Sequence, residues 1–203
     1  MFKFIKIFKK LPIDFNQYEM REKTKGKLIA FSLAGEVEGK SALDIGCRDG
    51  YWSRKLEEIG YEVTAVDIDS NYSKCQFADA NKKLPFNDST FDLIWSTEVL
   101  EHLENPSFSV SEMQRVLKPG GKILLTTPNS NVWLFRFLKT FVPIQKLQSE
   151  HHKQFFFIED MKTLFPGGKI FGFFPYAVFK FKISRHGLID WLSPVFVVYY
   201  DKN

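Results

Sequence analysis

The residues best suited to chemistry lie in the segment LDIGCRDG at residues 43–50, where an apolar run ends in an acid and glycines just before a helical pattern. Glycine lets a ligand approach the backbone closely, and a following helix offers unpaired N–H groups and the positive end of its dipole. The segment therefore predicts a nucleotide-like ligand at the carboxyl edge of a sheet. The alternative is a tight strand-to-helix turn that binds nothing.

The spacing of this loop separates two classes of ligand. Dinucleotide sites use GxGxxG, in which a glycine presses against a pyrophosphate. Here the order is DxGxxxG, with Arg48 near the place of the middle glycine and Asp44 and Asp49 around it. Because two carboxylates repel a pyrophosphate and suit a cation, the loop favours a positively charged ligand without phosphates.

Three histidines are candidates for proton transfer. His102 lies in EVLEH, where the alternative is a residue at a helix start that holds a loop by hydrogen bonding. His151 and His152 lie in EHHKQF. Adjacent histidines on one element point in different directions, and no second carboxylate cluster follows, so we predict no metal site. The two cysteines have no CxxC spacing, which predicts free thiols in a reducing compartment.

The elements that must position these residues are short β-branched runs alternating with helical patterns, which is typical of βαβ units on a parallel sheet. Strands are predicted at residues 41–45, 62–67, 75–79, 91–96, 122–127, 170–174 and 195–200. Helices are predicted at residues 18–33, 51–59, 110–117 and 158–165. No linker or repeat interrupts the chain, so we expect one domain over residues 1–203.

Composition excludes several classes of protein. With 203 residues, 44% of them hydrophobic, and a net charge of +4, the chain is neither disordered nor collagen-like nor a disulfide-stapled miniprotein. No apolar run approaches the roughly 20 residues that span a bilayer. Lysines interrupt the N-terminus where a signal peptide would need an apolar stretch. We therefore expect a cytoplasmic protein, with contact to a membrane surface left open.

Both ends of the chain are basic and rich in Phe. Residues 1–10 carry four Lys and no acid, and residues 135–203 carry 10 basic against 5 acidic residues and more than half of the 22 Phe. On a helical wheel, the lysines of residues 2–11 share one side and nearly all the apolar residues share the other. This pattern fits an interfacial helix on anionic lipid. A helix that packs on the domain or covers a pocket fits it equally well.

Four ordered segments carry a family resemblance: LDIGCRDG, VTAVDID, ADANKKLPFNDSTFDLIWSTEVLEHL and RVLKPGGKILLTTPN. Together they resemble the class I S-adenosylmethionine-dependent methyltransferases, especially the small-molecule group of ubiquinone and menaquinone biosynthesis. The resemblance implies an α/β fold, a Rossmann-like three-layer sandwich whose seven-stranded sheet is mostly parallel with an antiparallel last strand, supplied by residues 195–200. It also implies the cofactor S-adenosylmethionine, which has no phosphates and carries an ammonium and a sulfonium group.

The resemblance implies a set of cofactor-binding residues: Asp44, Gly46, Cys47, Gly50, Asp67, Ile68, Asp79, Ala80, Ser96 and Thr97. Those of the first loop would line the methionine part. Asp67, 21 residues after Gly46, would accept both ribose hydroxyls.

The adenine amine would meet Asp79 and the backbone of Ala80, with Ile68 and Leu84 beside the ring. The end of the fourth strand would lie beneath the cofactor near the reacting methyl group. Many members of the family have glycine where this chain has Arg48, and we expect binding to survive that departure.

Methyl transfer is an in-line displacement in which the protein positions the reactants and removes a proton from the acceptor. In relatives a histidine ahead of a Phe-rich stretch faces the acceptor pocket, so His151 or His152 is the preferred base. We expect a small or lipid-like acceptor with an apolar part, a cofactor-binding core at about residues 40–130, and covering segments at 1–35 and 130–155.

Three alternative functions remain. The chain could bind cofactor without turnover and act as a partner of another enzyme. It could methylate nucleic acid, although its lysines are scattered and it has no NPPY-type motif. It could be a nicotinamide-dependent oxidoreductase.

Overall fold

Strands and helices alternate along the part of the chain that the computed structural model describes, residues 24–131, 153–173, 182–183 and 186–203. The strands are β1 (Lys40–Ile45), β2 (Tyr61–Asp67), β3 (Cys75–Phe77), β4 (Phe91–Thr97), β5 (Leu117–Pro128), β6 (Lys169–Phe173), β7 (Lys182–Ile183) and β8 (Val195–Asp201). The helices are α1 (Lys25–Ala34), α2 (Tyr51–Glu58), α3 (Pro106–Val116), α4 (Ile158–Leu164) and α5 (His186–Leu192), with a 3₁₀ turn at Leu100–His102.

One sheet joins these strands in the order β3-β2-β1-β4-β5-β8-β6, with the two-residue β7 paired to the outer side of β6. The pairs from β3 to β5 are parallel, and β8 runs antiparallel to both β5 and β6. This confirms the predicted seven-stranded, mostly parallel sheet with an antiparallel last strand. The short β7 is an addition that the sequence did not predict.

Helices cover both faces of the sheet. Successive strand side chains point to opposite faces, so Leu93 and Trp95 of β4 pack toward α1 and α2, whereas Ile94 packs toward α3 and α4. The indole rings of Trp95 and Trp52 lie 5.1 Å apart between centroids in the first of these layers. Burial on both faces explains the near-continuous apolar runs of the parallel strands.

Capping residues decide where the helices begin. Helix α3 begins at Pro106, ahead of the predicted residue 110, because the Asn105 side chain accepts the Phe108 N–H at 3.1 Å and proline is favoured in the first turn. Helix α1 begins after Thr24, and the first residues of its predicted range, 18–23, lie outside the described residues. The 3₁₀ turn and α5 were not predicted.

The predicted N-terminal amphipathic helix at residues 2–11 lies outside the described residues. Within the described ranges, no helix is both long and apolar enough to cross a membrane.

Candidate functional site

The strand order places a crevice between β1 and β4. Strand β1 pairs with β2 on one side and with β4 on the other, all in parallel. The connections that leave β1 and β4 therefore depart in opposite directions from the same carboxyl edge. Ligands of open α/β sheets bind at such a switch point.

The loop that leaves β1 depends on its glycines. Gly46 has φ 80°, and a Cβ atom there would lie 2.3 Å from Val99 Cγ2 of the loop after β4. Gly50 has φ 74° and directly precedes α2, and its N–H donates to the Cys47 carbonyl at 2.7 Å. A Cβ atom at Gly50 would lie 2.4 Å from the ring of Tyr72, so at both positions the close approach of a side chain, together with the positive φ, requires glycine. Arg48, the departure from the family pattern, adopts φ 51° in the same loop.

Asp67 links this loop to the end of β2. Its carboxylate accepts the Arg48 N–H at 2.9 Å through one oxygen and the Asp69 N–H at 3.1 Å through the other. These two bonds fix the orientation of the carboxylate while leaving it lone pairs for further donors. Ile68 next to it is 63% exposed, so an acid and an apolar surface lie side by side. Asp69 is exposed, and no described helix begins there.

Asp79 follows β3, the next strand outward. It accepts the backbone N–H of Asn81 at 2.9 Å, and this bond above all holds the pKa of the Asp79 carboxyl below its usual range. The Ala80 carbonyl accepts the Ser109 hydroxyl at 2.7 Å. Asp79, Asp67 and the β1 loop thus follow three neighbouring strands at one edge of the sheet.

Leu84 is buried in the loop between β3 and β4, which Arg115 of α3 organises. The guanidinium donates to the carbonyls of Leu84 and Phe86 and to the carboxylates of Asp88 and Glu112. The Glu112 carboxylate in turn accepts the Leu84 N–H at 2.9 Å. This network fixes the conformation of the loop that, by the family resemblance, is expected beside an adenine ring.

The end of β4 carries two polar residues, and Ser96 is in register with Ile45 at the end of β1. Ser96 and Thr97 are both buried, and the Ser96 hydroxyl has no hydrogen-bond partner among the described residues. A buried polar group without a partner is rare and points to a missing ligand or water. Glu98 follows with φ 59°, its N–H donating to the Thr126 carbonyl at 2.9 Å.

Asp44 is the penultimate residue of β1, and it is buried. The Ser53 hydroxyl of α2 donates to its carboxylate at 2.6 Å. Burial nevertheless raises the pKa of Asp44 to about 7, although Ser53 and the ammonium of Lys27 act in the opposite direction. Near neutral pH this carboxyl is therefore poised between its two protonation states.

The structure adds a charge cluster that the sequence did not single out, made of the buried Lys27 from α1 and Glu101 with the half-buried Glu98. Thr126 and Thr127 of β5 donate to the two glutamates at 2.8 and 3.1 Å. Burial raises the pKa of both glutamates and lowers that of Lys27. The second oxygen of Glu101 has no hydrogen-bond partner within the described ranges. The segment EVLEH at residues 98–102 contains both glutamates, but the sequence does not show that the path of α1 brings Lys27 to them.

The three candidate histidines differ in what the structure shows. His102 Nε2 lies 3.9 Å from the Glu101 carboxylate, and its side chain is 42% exposed. His151 and His152 lie outside the described residues. The chain is described again from Lys153, whose N–H donates to the Glu101 carbonyl at 2.9 Å. The segment after the histidine pair thus lies against the 3₁₀ turn of the site.

Comparison with known protein families shows which family the chain belongs to. A family model described as a methyltransferase domain matches residues 16–167, three quarters of the chain, including every strand that borders the crevice. The chain belongs to the methyltransferase domain family. Membership of this family implies S-adenosylmethionine as the cofactor.

Curated relatives of the chain carry the names of different O-methyltransferases. The malonyl-[acyl-carrier protein] O-methyltransferase of Erwinia billingiae is 30% identical over 123 residues, which are 56% of this chain and 49% of the relative. The ubiquinone biosynthesis O-methyltransferase of Dechloromonas aromatica is 30% identical over 149 residues, 64% of this chain and 61% of the relative. The chain thus spans about half to three fifths of the length of these two relatives.

Solved structures support the fold of the methyltransferase. An S-adenosylmethionine-dependent methyltransferase from Thermotoga maritima superimposes with a TM-score of 0.69 at 17% identity, covering 95% of this chain and 98% of that one. At that identity the likeness concerns the fold alone.

Proposed function

We propose that the chain transfers a methyl group from S-adenosylmethionine to a small-molecule or lipid-like acceptor with an apolar part. The observation that carries this proposal is the meeting of the β1 glycine loop, the Asp67 carboxylate and the unpartnered Ser96 hydroxyl at the β1/β4 switch point. The residues present suit the cofactor, because Asp44, Asp49 and Asp67 offer carboxylates to its cationic groups and to its hydroxyls.

Each proposed contact follows from position along the sheet edge. The loop with Asp44, Gly46, Cys47 and Gly50 would hold the methionine part. Asp67 would accept the ribose hydroxyls with the lone pairs that Arg48 and Asp69 leave over.

The adenine end would rest on Ile68, Asp79, Ala80 and Leu84, which follow β2 and β3. Ser96 and Thr97 would lie below the reacting carbon.

The cofactor supplies an already activated methyl group. The work of the chain is to position an acceptor and to take its proton. We propose His151 or His152 as the base from the sequence, and the structure adds Glu98, which follows β4 and accepts the Thr126 hydroxyl at 2.8 Å. Burial raises the pKa of the Glu98 carboxyl. A pH–rate profile of the variants His151→Ala, His152→Ala and Glu98→Gln identifies the base, because loss of its titration flattens one limb of the profile.

We also propose that residues 1–203 form one domain. In this domain residues 40–130, approximately, form the cofactor-binding core, and residues 1–35 and 130–155 cover its acceptor side. Lys27 in α1 and Lys153 both reach the acidic turn after β4, which supports the placement of the two segments.

The experiment that tests the cofactor site compares Asp67→Ala with Asp69→Ala by titration calorimetry of the full chain with S-adenosylmethionine. Loss of a charged hydrogen-bond acceptor should weaken binding by at least about 1 kcal/mol, roughly fivefold in Kd. The Asp69 side chain is exposed and serves as the matched control, with a change below about twofold expected. Equal affinity of Asp67→Ala and the unaltered chain contradicts the ribose placement.

Turnover is tested separately with a panel of acceptors. Methyl transfer to any member supports an enzyme. Cofactor binding without transfer to small molecules, lipids or nucleic acid favours the alternative of a binding module that serves a partner enzyme.

A further inference from the structure

The chain's two cysteines meet inside the candidate site. Cys47 lies in the loop after β1 and is 5% exposed, and Cys75 is the first residue of β3 and is partly exposed. Their sulfur atoms are 3.1 Å apart although 28 residues separate them in sequence. Both are free thiols, and the Ser70 hydroxyl lies 3.6 Å from the Cys47 sulfur.

The backbone around both thiols is held by the sheet. Cys75 is in register with Ala65 of β2, and the Cys47 N–H donates to the Val66 carbonyl at 3.2 Å. The two sulfurs thus face each other across β2. A disulfide needs a sulfur separation of about 2.05 Å, so the two sulfurs must approach by about 1 Å. Because the two cysteines lie on opposite sides of β2, this approach also requires the β1 loop to shift toward β3.

We propose that Cys47 and Cys75 form a reversible intramolecular disulfide that ties the β1 loop to β3 and weakens cofactor binding. The effect on the cofactor rests on the proposed function, whereas formation of the bond does not.

The oxidant is a low-molecular-weight disulfide. The more exposed Cys75, as its thiolate, attacks one sulfur of this reagent and releases one small thiol. Cys47 then gives up its proton, and its sulfur attacks the Cys75 sulfur of the mixed disulfide and releases the second small thiol. Two protein thiols and one small disulfide thus become one protein disulfide and two small thiols.

The environment of each sulfur explains this order. Burial raises the pKa of the Cys47 thiol, which makes it a poor first nucleophile. Once Cys75 carries the mixed disulfide, the 3.1 Å approach supplies the high effective concentration that an intramolecular attack needs.

The consequence for the site follows from what the loop carries. Pulling Cys47 toward β3 displaces its neighbours Gly46 and Arg48, and the Arg48 N–H is one of the two donors that orient Asp67. Reduction restores the loop, so the effect on binding is reversible.

The test oxidises the full reduced chain with oxidised glutathione, counts free thiols and maps peptides by mass spectrometry without reductant. The expected result is the loss of both thiols in a monomer with a Cys47–Cys75 linkage. In Cys47→Ser the reaction should stop at a glutathione adduct on Cys75. Cys75→Ser should react with oxidised glutathione more slowly than both the unaltered chain and Cys47→Ser. Persistent adducts on both cysteines, linkage between chains, or two unreacted thiols would each overturn the proposal.

Calorimetry with S-adenosylmethionine then compares the oxidised, reduced and re-reduced chains. The expected result is a rise in Kd of at least about fivefold on oxidation that dithiothreitol reverses, with no such response in Cys75→Ser, which cannot form the bond. Unchanged affinity in the disulfide form overturns the effect on the cofactor. If the reduced chain itself does not bind, the proposed function fails, and the peptide map still decides whether the disulfide forms.

Discussion

Replacement of Asp44 by Asn should stabilise the protein without ligand, and increasingly so as the pH rises. Burial raises the pKa of Asp44 from 3.8 to about 7. Between these values the folded chain holds a proton that the unfolded chain has lost, so the free energy of unfolding falls as the pH rises. An Asn at this position can still accept the Ser53 hydroxyl, which donates at 2.6 Å, and it carries no charge at any pH.

The size of the effect follows from the two pKa values. One pKa unit corresponds to 1.36 kcal/mol, so the full interval contributes about 4 kcal/mol. Between pH 5 and pH 8 the contribution is about 2.5 kcal/mol, because the unfolded carboxyl is already ionised at pH 5 and the folded one finishes ionising just above pH 7. The advantage of Asp44→Asn over the unaltered chain should grow by about that amount.

Urea unfolding of the unaltered chain, Asp44→Asn and Asp69→Asn at several pH values between 5 and 8 measures this difference. Asp69 is exposed, so its variant should keep a constant offset from the unaltered chain. A constant offset for Asp44→Asn as well, or a gap that shrinks as the pH rises, would refute the reasoning. It would mean that Lys27 and Ser53 compensate the buried charge completely.

Three further predictions concern other parts of the chain. Gly60 has φ 96°, and the methyl group of Gly60→Ala would lie 1.7 Å from the Val37 carbonyl oxygen, so this variant should lose about 3 kcal/mol or more of its free energy of unfolding in urea. Gly120→Ala is the control and should lose about 1 kcal/mol, because Gly120 has φ 74° but no described atom lies within 4 Å of the added methyl group. Arg115→Met removes four partners of the loop between β3 and β4 and should lower the free energy of unfolding by about 2 kcal/mol, with Arg115→Lys intermediate. The full chain should pellet with vesicles of anionic lipid, and a chain lacking residues 1–11 should not. Equal pelleting of the two chains would contradict the prediction of an interfacial helix.

Residues next to strand ends were predictable because local sequence decides their positions. The β1 loop, Asp67 and Asp79 each follow a strand of strong β pattern, and parallel strands bring their carboxyl ends to one edge. Identifying the strands was therefore enough to collect these groups. Helix α3 begins four residues before its predicted start, because Asn105 caps the helix and Pro106 occupies its first turn.

Groups that depend on long-range packing were not predictable. Glu101 carries a charge and would be expected at the surface, yet it is 1% exposed because the 3₁₀ turn lies under Lys153 and beside β5. Lys27 reaches the acids only through the way α1 crosses the sheet. The contact between Cys47 and Cys75 likewise needs the register of β3 on β2, which no spacing in the sequence expresses.

The measurement that bears most directly on the central claim is a pair of titrations of the full 203-residue chain, one with S-adenosylmethionine and one with NADH. The β1 loop and its carboxylates predict saturable binding of S-adenosylmethionine at one site and no heat from NADH. Binding of NADH, or no binding of S-adenosylmethionine to the reduced chain, would contradict the assignment of the crevice between β1 and β4 to a cationic methyl donor.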